Sequence, residues 1–464
     1  MLTRYLRLVG PAVLIICLVI TLCGWPSISL PSSLSFHRQA PSSASASSQT
    51  AVGHPKHIGH PYAGYTEGVY HEIFSVSTSD REYFKIDFSP RRGMNPNVIP
   101  HPTLAEAWLI VAQLDDHSME NTVWYAELTC TAVFKGGKLK CIDSPLVLTI
   151  GKTPVRASSH DTNGELRLIF MKGAKCTGDI GYFNFGVGPH DARVFYGPST
   201  PYVIFGSQSE YTCFGVWIQD LRVLTDWPFE FFDPDLFRLP TEIQRPGGQY
   251  SDIEKNYFVF WDADDNMYAH HDTFPKRVFA ELLKNGSVGP DLAPLAAAND
   301  EACMAKYIPK LPTGNIHVHQ ATNSIAITLC KRADPQCQPN NSNTFILTIF
   351  QIKKYYDAHS VYEPYLMVFQ QQPPFAIYGI SRKPFWIYGR GKPGEWKMWG
   401  GDNTLDQTQM FYITSVSWKK AGLTYHGFID DVLFVVFGIE DRESGGIDVR
   451  AEDLLADLGL CGLA

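Results

Sequence analysis

The chain has 464 residues, a formal net charge of −8, 13% aromatic residues and 19% charged residues. An acidic chain without a Lys/Arg-rich run is not expected to bind nucleic acid, so we exclude that class of partner. The length allows one large domain or two ordinary ones, with enough apolar content for a substantial core.

The N-terminal residues predict a membrane anchor. Residues 8–25 are uncharged and apolar, and Arg4 and Arg7 precede them. A helix of this length spans roughly 27 Å, which is enough for a thin bilayer of the secretory pathway. The basic flank places residues 1–7 in the cytoplasm. A cleaved signal peptide is the alternative, but the apolar run is long and no clear small-x-small cleavage site follows it.

Residues 26–61 are rich in Ser, Pro and Ala and predict a disordered stem, because such a segment buries little apolar surface. The remaining residues, 62–464, form the predicted lumenal domain. Tail, anchor, stem and lumenal domain together give a single-pass type II layout. We therefore expect the protein in the membrane of the Golgi or of another secretory compartment.

The cysteines favour disulfide bonds. Eight of the ten lie beyond the predicted anchor, and an even number in an oxidising compartment fits paired thiols. Cys330 and Cys337 flank a short turn and are the predicted local pair. No cysteine spacing resembles a zinc site, and no metal site is predicted. Sequons at Asn285 and Asn340 permit glycosylation.

Short strand-like runs, separated by Gly, Pro, Asn and Asp turns, fill the lumenal part of the sequence. Hairpins are predicted for residues 123–141, residues 188–205 and residues 257–271. Helices are predicted only at residues 276–284 and 451–458. Many strands without regular strand–helix alternation predict an all-β fold. A domain of this size is most easily built as a divergent β-propeller, with a large sandwich as the alternative.

The first polar cluster lies where the central hairpin begins. His190, Asp191 and Arg193 crowd the start of a predicted strand. A carboxylate close to a guanidinium stays ionised, because the opposite charge favours the anion. That suits a general acid or base acting on a sugar hydroxyl. The alternative is a surface ion pair that caps the strand.

The second polar cluster is Glu254, Lys255 and Asn256, directly before another predicted strand. It supplies an acceptor, a cation and an amide within one turn. These groups are enough to bind several hydroxyls or a phosphate. An ordinary charged loop is the alternative.

The third cluster ends the partner strand of the same hairpin. His270 and His271 point to opposite faces if the strand continues, so at most one of them faces a cavity. Strand histidines are more often structural than metal-binding. Lys276 and Arg277, which follow, would suit a pyrophosphate.

The fourth cluster consists of Asp431, Glu440 and Asp441, on either side of a predicted strand at residues 432–437. These acids either reach a cavity or only solubilise the strand ends. Asp233 and Asp235 match the acid-x-acid pair that many nucleotide-sugar enzymes use to hold a metal. They do not follow a strand of an α/β sheet, so the match carries little weight.

Several of these segments together resemble the fungal β-1,2-mannosyltransferases of cell-wall glycans. The resemblance rests on the motifs Gly-Pro-His-Asp-Ala-Arg and Ile-Glu-Lys-Asn-Tyr and on longer stretches, at residues 188–193, 253–257, 268–279, 286–294 and 428–457. It covers about residues 65–460 and includes the type II anchor. The first two motifs are also similar to those of β-mannoside phosphorylases, which are five-bladed propellers, so the resemblance implies five blades.

The resemblance implies an enzyme that transfers mannose from GDP-mannose to mannan or a related oligomannoside, forming a β-1,2 linkage. An α-linked donor and a β-linked product require one inverting displacement, with a base and with groups that stabilise the departing phosphate. Asp191 is implied as the base. The implied phosphate, sugar or donor contacts are His190, Arg193, Glu254, Lys255, Asn256, one of His270 and His271, Lys276, Arg277, Asp431, Glu440 and Asp441. GDP-mannose enters as substrate, no cofactor is assigned, and a divalent metal is left open.

The sequence departs from the phosphorylase pattern at three positions. The phosphorylases typically have Asp-Pro-Arg or Glu-Asp-Pro-Arg, whereas His190 replaces the extra acid and Ala192 replaces the proline here. Tyr257 stands where Trp is common. The donor therefore stays open between a nucleotide sugar and mannose 1-phosphate. A β-mannoside phosphorylase or hydrolase on the same scaffold, and a non-catalytic glycan-binding propeller, are the alternatives.

Overall fold

The computed structural model describes residues 69–115, 126–148, 176–185, 189–227, 237–311, 316–356, 359–398 and 401–462. These residues are mostly β, which confirms the prediction of a β fold at that level. The predicted tail, anchor and stem, and the acid-x-acid pair at residues 233–235, lie outside the described residues. Within the described ranges, no helix is both long enough and apolar enough to cross a membrane.

The first fourteen strands, numbered in chain order, run from the N-terminal part of the described chain to its middle. They are β1 (His71–Ile73), β2 (Phe84–Asp87), β3 (Gly93–Pro100), β4 (Trp108–Leu114), β5 (Glu127–Lys135), β6 (Lys138–Cys141), β7 (Leu146–Val147), β8 (His190–Tyr196), β9 (Pro201–Gln208), β10 (Phe214–Asp220), β11 (Thr241–Glu242), β12 (Phe258–Trp261), β13 (Met267–Asp272) and β14 (Val278–Glu281).

Two helices and eleven further strands complete the described secondary structure, apart from short 3-10 turns. They are α1 (Ala297–Tyr307), β15 (Ile316–Gln320), β16 (Ile325–Thr328), β17 (Thr344–Tyr356), β18 (His359–Gln370), β19 (Ile377–Ser381), β20 (Phe385–Ile387), β21 (Phe411–Trp418), β22 (His426–Phe428), β23 (Val432–Ile439), β24 (Glu443–Arg450), α2 (Ala451–Leu454) and β25 (Leu458–Leu460).

Most of the strands form antiparallel meanders, in which consecutive strands pair. The runs β3–β6, β8–β11, β12–β14 and β16–β19 are four of them. In the fifth, β21, β23 and β24 are followed by β2 from the N-terminal part of the chain. A short parallel pairing of β2 with β6 joins the first and fifth meanders into one nine-stranded sheet. The edge strands of that sheet, β21 and β3, contact each other, so it curls almost into a ring.

Buried polar side chains connect the first strands of the meanders. The Asn97 amide on β3 donates to the carbonyl of Ala192 on β8 at 2.8 Å. Ser417 on β21 donates to the β3 backbone at 2.5 Å, and Ser324, just before β16, donates to the β12 backbone at 2.7 Å. Each bond gives a buried carbonyl oxygen a side-chain donor. Asn323, also just before β16, donates to the Val416 carbonyl on β21 at 2.9 Å, so buried bonds link the starts of all five meanders.

The central strands of the meanders have long apolar runs rather than alternation. In β23 every residue after the first is buried, and β17 is buried from Thr344 to Ile352. A strand reads this way when both of its faces are covered. The apolar clusters between neighbouring sheets include the fully buried Trp418 and Phe369.

The predicted helix at residues 276–284 is wrong. The segment forms β14 and pairs with β13 across a register shift between His270 and Asp272. Phe279 and Ala280 are both fully buried in this strand, so sheet pairing overrides the local helical pattern. The sequence analysis missed α1, whose buried face includes Cys303 and Met304. The predicted C-terminal helix is shorter than expected, because the chain turns into β25.

The disulfide prediction is confirmed. The eight cysteines beyond residue 25 form four bonds, Cys130–Cys141, Cys176–Cys213, Cys303–Cys461 and Cys330–Cys337. The last is the local pair expected from the sequence. The predicted hairpin turn at Gly136 and Gly137 is also present, with φ of 61° and 75°. That left-handed conformation suits glycine.

Candidate active site

A small cleft that is open to solvent lies where two distant polar clusters of the sequence meet. β8 contributes His190, Asp191 and Arg193, and the segment before β12 contributes Lys255 and Asn256. The apolar remainder of the lining comes from β9, β10 and Tyr257.

Asp191 occupies an unusual backbone position. Its φ is 51°, in the left-handed region that non-glycine residues rarely adopt. The register between β8 and β9 shifts between His190 and Arg193, so Asp191 sits in a bulge. Bulges re-aim side chains and are frequent beside active sites. The Asp191 side chain is 33% exposed, which leaves its carboxylate accessible from the cleft.

Side chains from the neighbouring meander hold this bulge. The Asp191 N–H donates to the Gln113 side-chain oxygen at 3.3 Å, and the Ala192 N–H donates to the Glu127 carboxyl at 3.2 Å. Gln113 and Glu127 are cross-strand partners on β4 and β5. Asn97 completes the support, because it accepts from the Val194 N–H at 3.1 Å and donates to the Ala192 carbonyl. The backbone groups of the bulge are therefore hydrogen-bonded by side chains, although the regular pairing of β8 with β9 is interrupted there.

The charges around Asp191 favour its ionised form. Burial by itself would raise the pKa of this carboxyl. His190 when protonated, the charges of Arg193 and Lys255 and a hydrogen bond from Asn95 lower the pKa below its usual value. Burial lowers the pKa of His190 itself, so Arg193 and Lys255 are the cations that remain at neutral pH. The His190 Nε2 lies 3.5 Å from the Asp191 carboxylate. Asp191 can accordingly accept a proton across the neutral pH range.

Arg193 is fixed rather than free to move. Its guanidinium donates to the carbonyls of Asp191 and Ala192, both at 3.4 Å, and to the Tyr412 hydroxyl at 3.2 Å. The Tyr412 hydroxyl in turn donates to the Asn256 side-chain oxygen at 3.4 Å. This chain joins β8, β21 and the segment before β12. It positions a cation and a hydroxyl on the wall of the cleft.

Glu254 has a structural position beside the cleft. Its carboxylate accepts from the Ser251 N–H at 2.6 Å, from the Tyr257 hydroxyl at 2.8 Å and from Arg245 at 3.2 Å. Arg245 also pairs with Asp272. These bonds fix the loop that presents Lys255 and Asn256. Lys255 is exposed, and Asn256 adopts a left-handed φ of 63°.

The structure does not bring His270, His271 or Arg277 to the cleft. The His270 ring stacks against Phe258 at 4.5 Å between centroids, and its Nε2 accepts from the Arg277 Nε at 3.1 Å. Arg277 forms a buried ion pair with Asp300 at 2.8 Å. The opposite-face prediction for the histidines is consistent with the strand, but both faces of β13 are covered.

Lys276 and Asp431 also lie away from the cleft. The Lys276 side chain is 79% exposed and faces Glu301 on α1 at 3.7 Å. Asp431 pairs with Arg332 at 2.6 Å and accepts from the Phe428 N–H at 2.8 Å. Asp431 therefore stabilises a turn near the surface instead of reaching the cleft.

Glu440 and Asp441 form the tight turn between β23 and β24, with φ of 52° and 49°. Glu440 accepts from the Met410 N–H at 2.5 Å and from His359 at 3.2 Å, so it supports the turn. Asp441 is exposed and interacts electrostatically with Asp191. Desolvation and the charges of Asp191 and Glu440 raise the pKa of Asp441 above its usual value. The two aspartates thus have pKa shifts of opposite direction.

Sequence reasoning missed the supporting residues of the site. Asn97, Gln113, Glu127 and Tyr412 are polar residues on the strands β3, β4, β5 and β21. A buried polar residue in a strand needs a hydrogen-bond partner, so its presence in the sequence indicates a polar contact. The sequence does not show which residue is the partner, because that depends on how the sheets pack. Among the described residues, no group of three or more His, Cys, Asp or Glu side chains could hold a metal ion.

The comparisons with known proteins give distant structural likenesses only. No family model matches the chain, and no curated protein matches it. A β-1,2-mannobiose phosphorylase from Listeria innocua has a TM-score of 0.41 at 11% identity, over 85% of this chain and 98% of that one. A GDP-Man-dependent mannosyltransferase from Leishmania mexicana has a TM-score of 0.38 at 8% identity, over 81% and 91%. A glycosyl hydrolase from Bacteroides ovatus has a TM-score of 0.39 at 10% identity, over 82% and 92%.

Proposed function

We propose that this protein is a carbohydrate-active enzyme, and specifically an inverting mannosyltransferase. In this proposal it transfers mannose from GDP-mannose to mannan or a related oligomannoside with a β-1,2 linkage. The observation that carries the enzymatic part is Asp191, an accessible and ionised carboxylate held in a rigid bulge beside Arg193 and Lys255. The motif resemblance contributes the donor and the linkage.

The site supplies the parts that a single displacement needs. Asp191 takes the proton of the acceptor hydroxyl as that oxygen bonds to the anomeric carbon. The bond from the anomeric carbon to the phosphate oxygen breaks on the opposite face, and the electron pair leaves with GDP. Arg193 and Lys255 stabilise the negative charge on that leaving group. Asn256 and Tyr412 offer hydrogen bonds to sugar hydroxyls.

The architecture and location belong to the same proposal. Five meanders, whose first strands are joined by buried polar bonds, support a five-bladed propeller with the cleft near its centre. A type II anchor at residues 8–25 would place this domain in the lumen of the Golgi or of another secretory compartment. The four disulfides are compatible with an oxidising lumen.

The test of the base uses the full-length protein, GDP-mannose and a mannan-derived oligosaccharide. We expect Asp191→Asn to lower GDP release by about 10²–10⁴-fold, because general base catalysis contributes that much. The matched control is Asp431→Asn, a carboxylate from the same sequence prediction that lies away from the cleft. If Asp191→Asn turned over at the wild-type rate and the control was also active, the assignment of Asp191 as the base would be wrong.

Asp441 favours a second candidate function, a β-mannoside phosphorylase or hydrolase. Such enzymes protonate the glycosidic oxygen, and an acid with a raised pKa near an ionised aspartate suits that step. Turnover of β-1,2-mannobiose with phosphate, but not of GDP-mannose, would select this candidate. Glycan binding that is unchanged in Asp191→Asn, with no turnover of either donor, would instead select a non-catalytic glycan-binding protein.

A further inference from the structure

A second group of polar and aromatic side chains lies on one face of the long hairpin formed by β17 and β18. We call it the hairpin platform, and it consists of His317, His319, Lys353, Tyr355 and Tyr362. His317 is in register with Lys353, and Lys353 is in register with Tyr362, so these three side chains form a row across β15, β17 and β18. His319 and Tyr355 are on the same face, since residues two apart along a strand point the same way.

The platform is preorganised by its own contacts. The Lys353 ammonium donates to the Tyr355 hydroxyl at 2.6 Å and lies 4.1 Å from the centre of that ring. It is also 5.2 Å from the centre of the Tyr362 ring. The His317 ring is 6.5 Å from the Tyr355 ring. His317 and Tyr355 are exposed, so flat ring surfaces face solvent beside a fixed cation.

The platform is continuous with the wall of the cleft. The Tyr362 ring is 4.8 Å from the ring of Tyr412, which contacts Arg193 and Asn256. The His319 ring is 6.2 Å from the Tyr362 ring. The charges of Lys353 and Lys255 act together with burial to lower the pKa of His319 to about 4. Both lysines are therefore within electrostatic range of the same neutral imidazole.

The charges on this wall favour an anionic ligand. Among the described residues, neither Lys255 nor Lys353 forms an ion pair with a carboxylate, although Asp441 is within electrostatic range of Lys353. Two cations and exposed aromatic faces match a diphosphate that carries a planar base.

We propose that the hairpin platform binds the nucleoside diphosphate portion of the donor. Lys353 and Lys255 contact the phosphates, and Tyr355 and His317 stack on the base. This inference rests on the proposed function, because it assigns a site for the leaving group of a nucleotide-sugar donor. It adds five residues that the sequence motifs do not contain, namely His317, His319, Lys353, Tyr355 and Tyr362.

Binding of GDP tests the platform without any need for turnover. Isothermal titration calorimetry on the full-length Asp191→Asn protein would compare GDP with mannose 1-phosphate. We expect Lys353→Ala to weaken GDP binding by about 10- to 100-fold, the usual effect of losing a hydrogen bond to a charged group. We expect Tyr355→Ala to weaken binding of GDP more than that of mannose 1-phosphate, because it removes a ring that stacks on the base as well as the hydroxyl that holds Lys353.

The matched control is Lys354→Ala, which removes an ammonium from the opposite face of the same strand, where it lies over Tyr356 at 4.6 Å. GDP binding that is equal in the Lys353 and Lys354 variants would overturn the platform. The platform would also be overturned if Tyr355→Ala weakened binding of a mannan oligosaccharide but left GDP binding unchanged. Platform-dependent GDP binding in a protein that transfers no mannose would support the platform and contradict the proposed transferase.

Discussion

At the scale of single residues, the position of Asp191 depends on a carboxyl group behind it. Glu127 is completely buried on β5, and its Oε1 accepts from the backbone of the Asp191 bulge. Its Oε2 has no hydrogen-bond partner among the described residues. Burial is the main reason that the pKa of Glu127 rises to about 8, with the nearby charge of Asp191 adding to it. Glu127 is therefore protonated at neutral pH in the folded protein.

This raised pKa makes folding stability depend on pH. An unfolded glutamate loses its proton near pH 4.3, whereas the folded protein keeps this proton up to about pH 8. Between these values the folded state binds more protons, so the Glu127 contribution to stability falls as pH rises. We expect Glu127→Gln, which stays neutral and can still accept from Ala192, to remove this part of the decline. Thermal unfolding midpoints at pH 5, 6.5 and 8 would measure it.

An exposed carboxyl provides the control for that measurement. The Glu301 side chain is 55% exposed, and Glu301→Gln should follow the wild-type pH dependence. If the wild-type and Glu127→Gln midpoints differed by the same amount at all three pH values, Glu127 would not carry a proton in the folded protein over this pH range.

The residues of the site divide into those that the sequence identified and those that it could not. His190, Asp191, Arg193, Lys255 and Asn256 were found because each polar cluster is contiguous and precedes a strand. Their neighbours Gln113 and Glu127 are isolated polar positions on strands whose packing partner depends on the fold. For His270 and His271, strand alternation predicts side chains on opposite faces of β13. It could not predict that both faces of this strand are buried.

At the scale of elements, two asparagines play the same backbone role in different strands. Asn97 bonds to the Ala192 carbonyl and the Val194 N–H of β8. Asn323 bonds to the carbonyl and the N–H of Val416 on β21, at 2.9 and 3.1 Å. Both side chains are almost fully buried. They differ in that only the first lies beside the bulge that carries Asp191.

Because only Asn97 lies beside the Asp191 bulge, the two asparagines can separate an effect on stability from an effect on catalysis. We expect Asn97→Ala and Asn323→Ala each to lower the free energy of unfolding by about 2–4 kcal/mol, because each removes two hydrogen bonds to buried backbone groups. Only Asn97→Ala should also lower kcat/KM when the rate is normalised to folded protein, since it releases the bulge. Chemical unfolding and steady-state kinetics on both variants would measure this. An equal change in the normalised kcat/KM of both variants would contradict a specific role of Asn97 in holding the bulge.

Element prediction succeeded where local chemistry decides the structure. The hairpin of β5 and β6 follows from paired glycines at a turn, and β12 with β13 follows from an Asp/Asn-rich loop. It failed for β14, where a helix-compatible sequence is drawn into a sheet by pairing with β13. Local propensity has little influence where the neighbouring strand supplies both hydrogen bonds and apolar contacts.

At the scale of the whole molecule, the two ends of the described chain are fastened by different means. The N-terminal strand β2 completes the meander of β24, which lies near the C-terminus. The C-terminal strand β25 pairs with β19. The disulfide Cys303–Cys461 then ties helix α1 to the residue that follows β25. Pairings between distant parts of the sequence therefore close the fold, and the order of the strands alone could not predict them.

The disulfides should contribute to stability according to the loops that they close. Cys303–Cys461 spans 158 residues and Cys330–Cys337 spans 7. The chain-entropy relation gives about 5 kcal/mol for the long loop and about 2 kcal/mol for the short one. We expect a Cys303→Ala and Cys461→Ala double variant to lower the thermal midpoint clearly more than the matched double variant at positions 330 and 337. Equal midpoints would mean that β25 is held by its pairing with β19 and its packing, rather than by the covalent link.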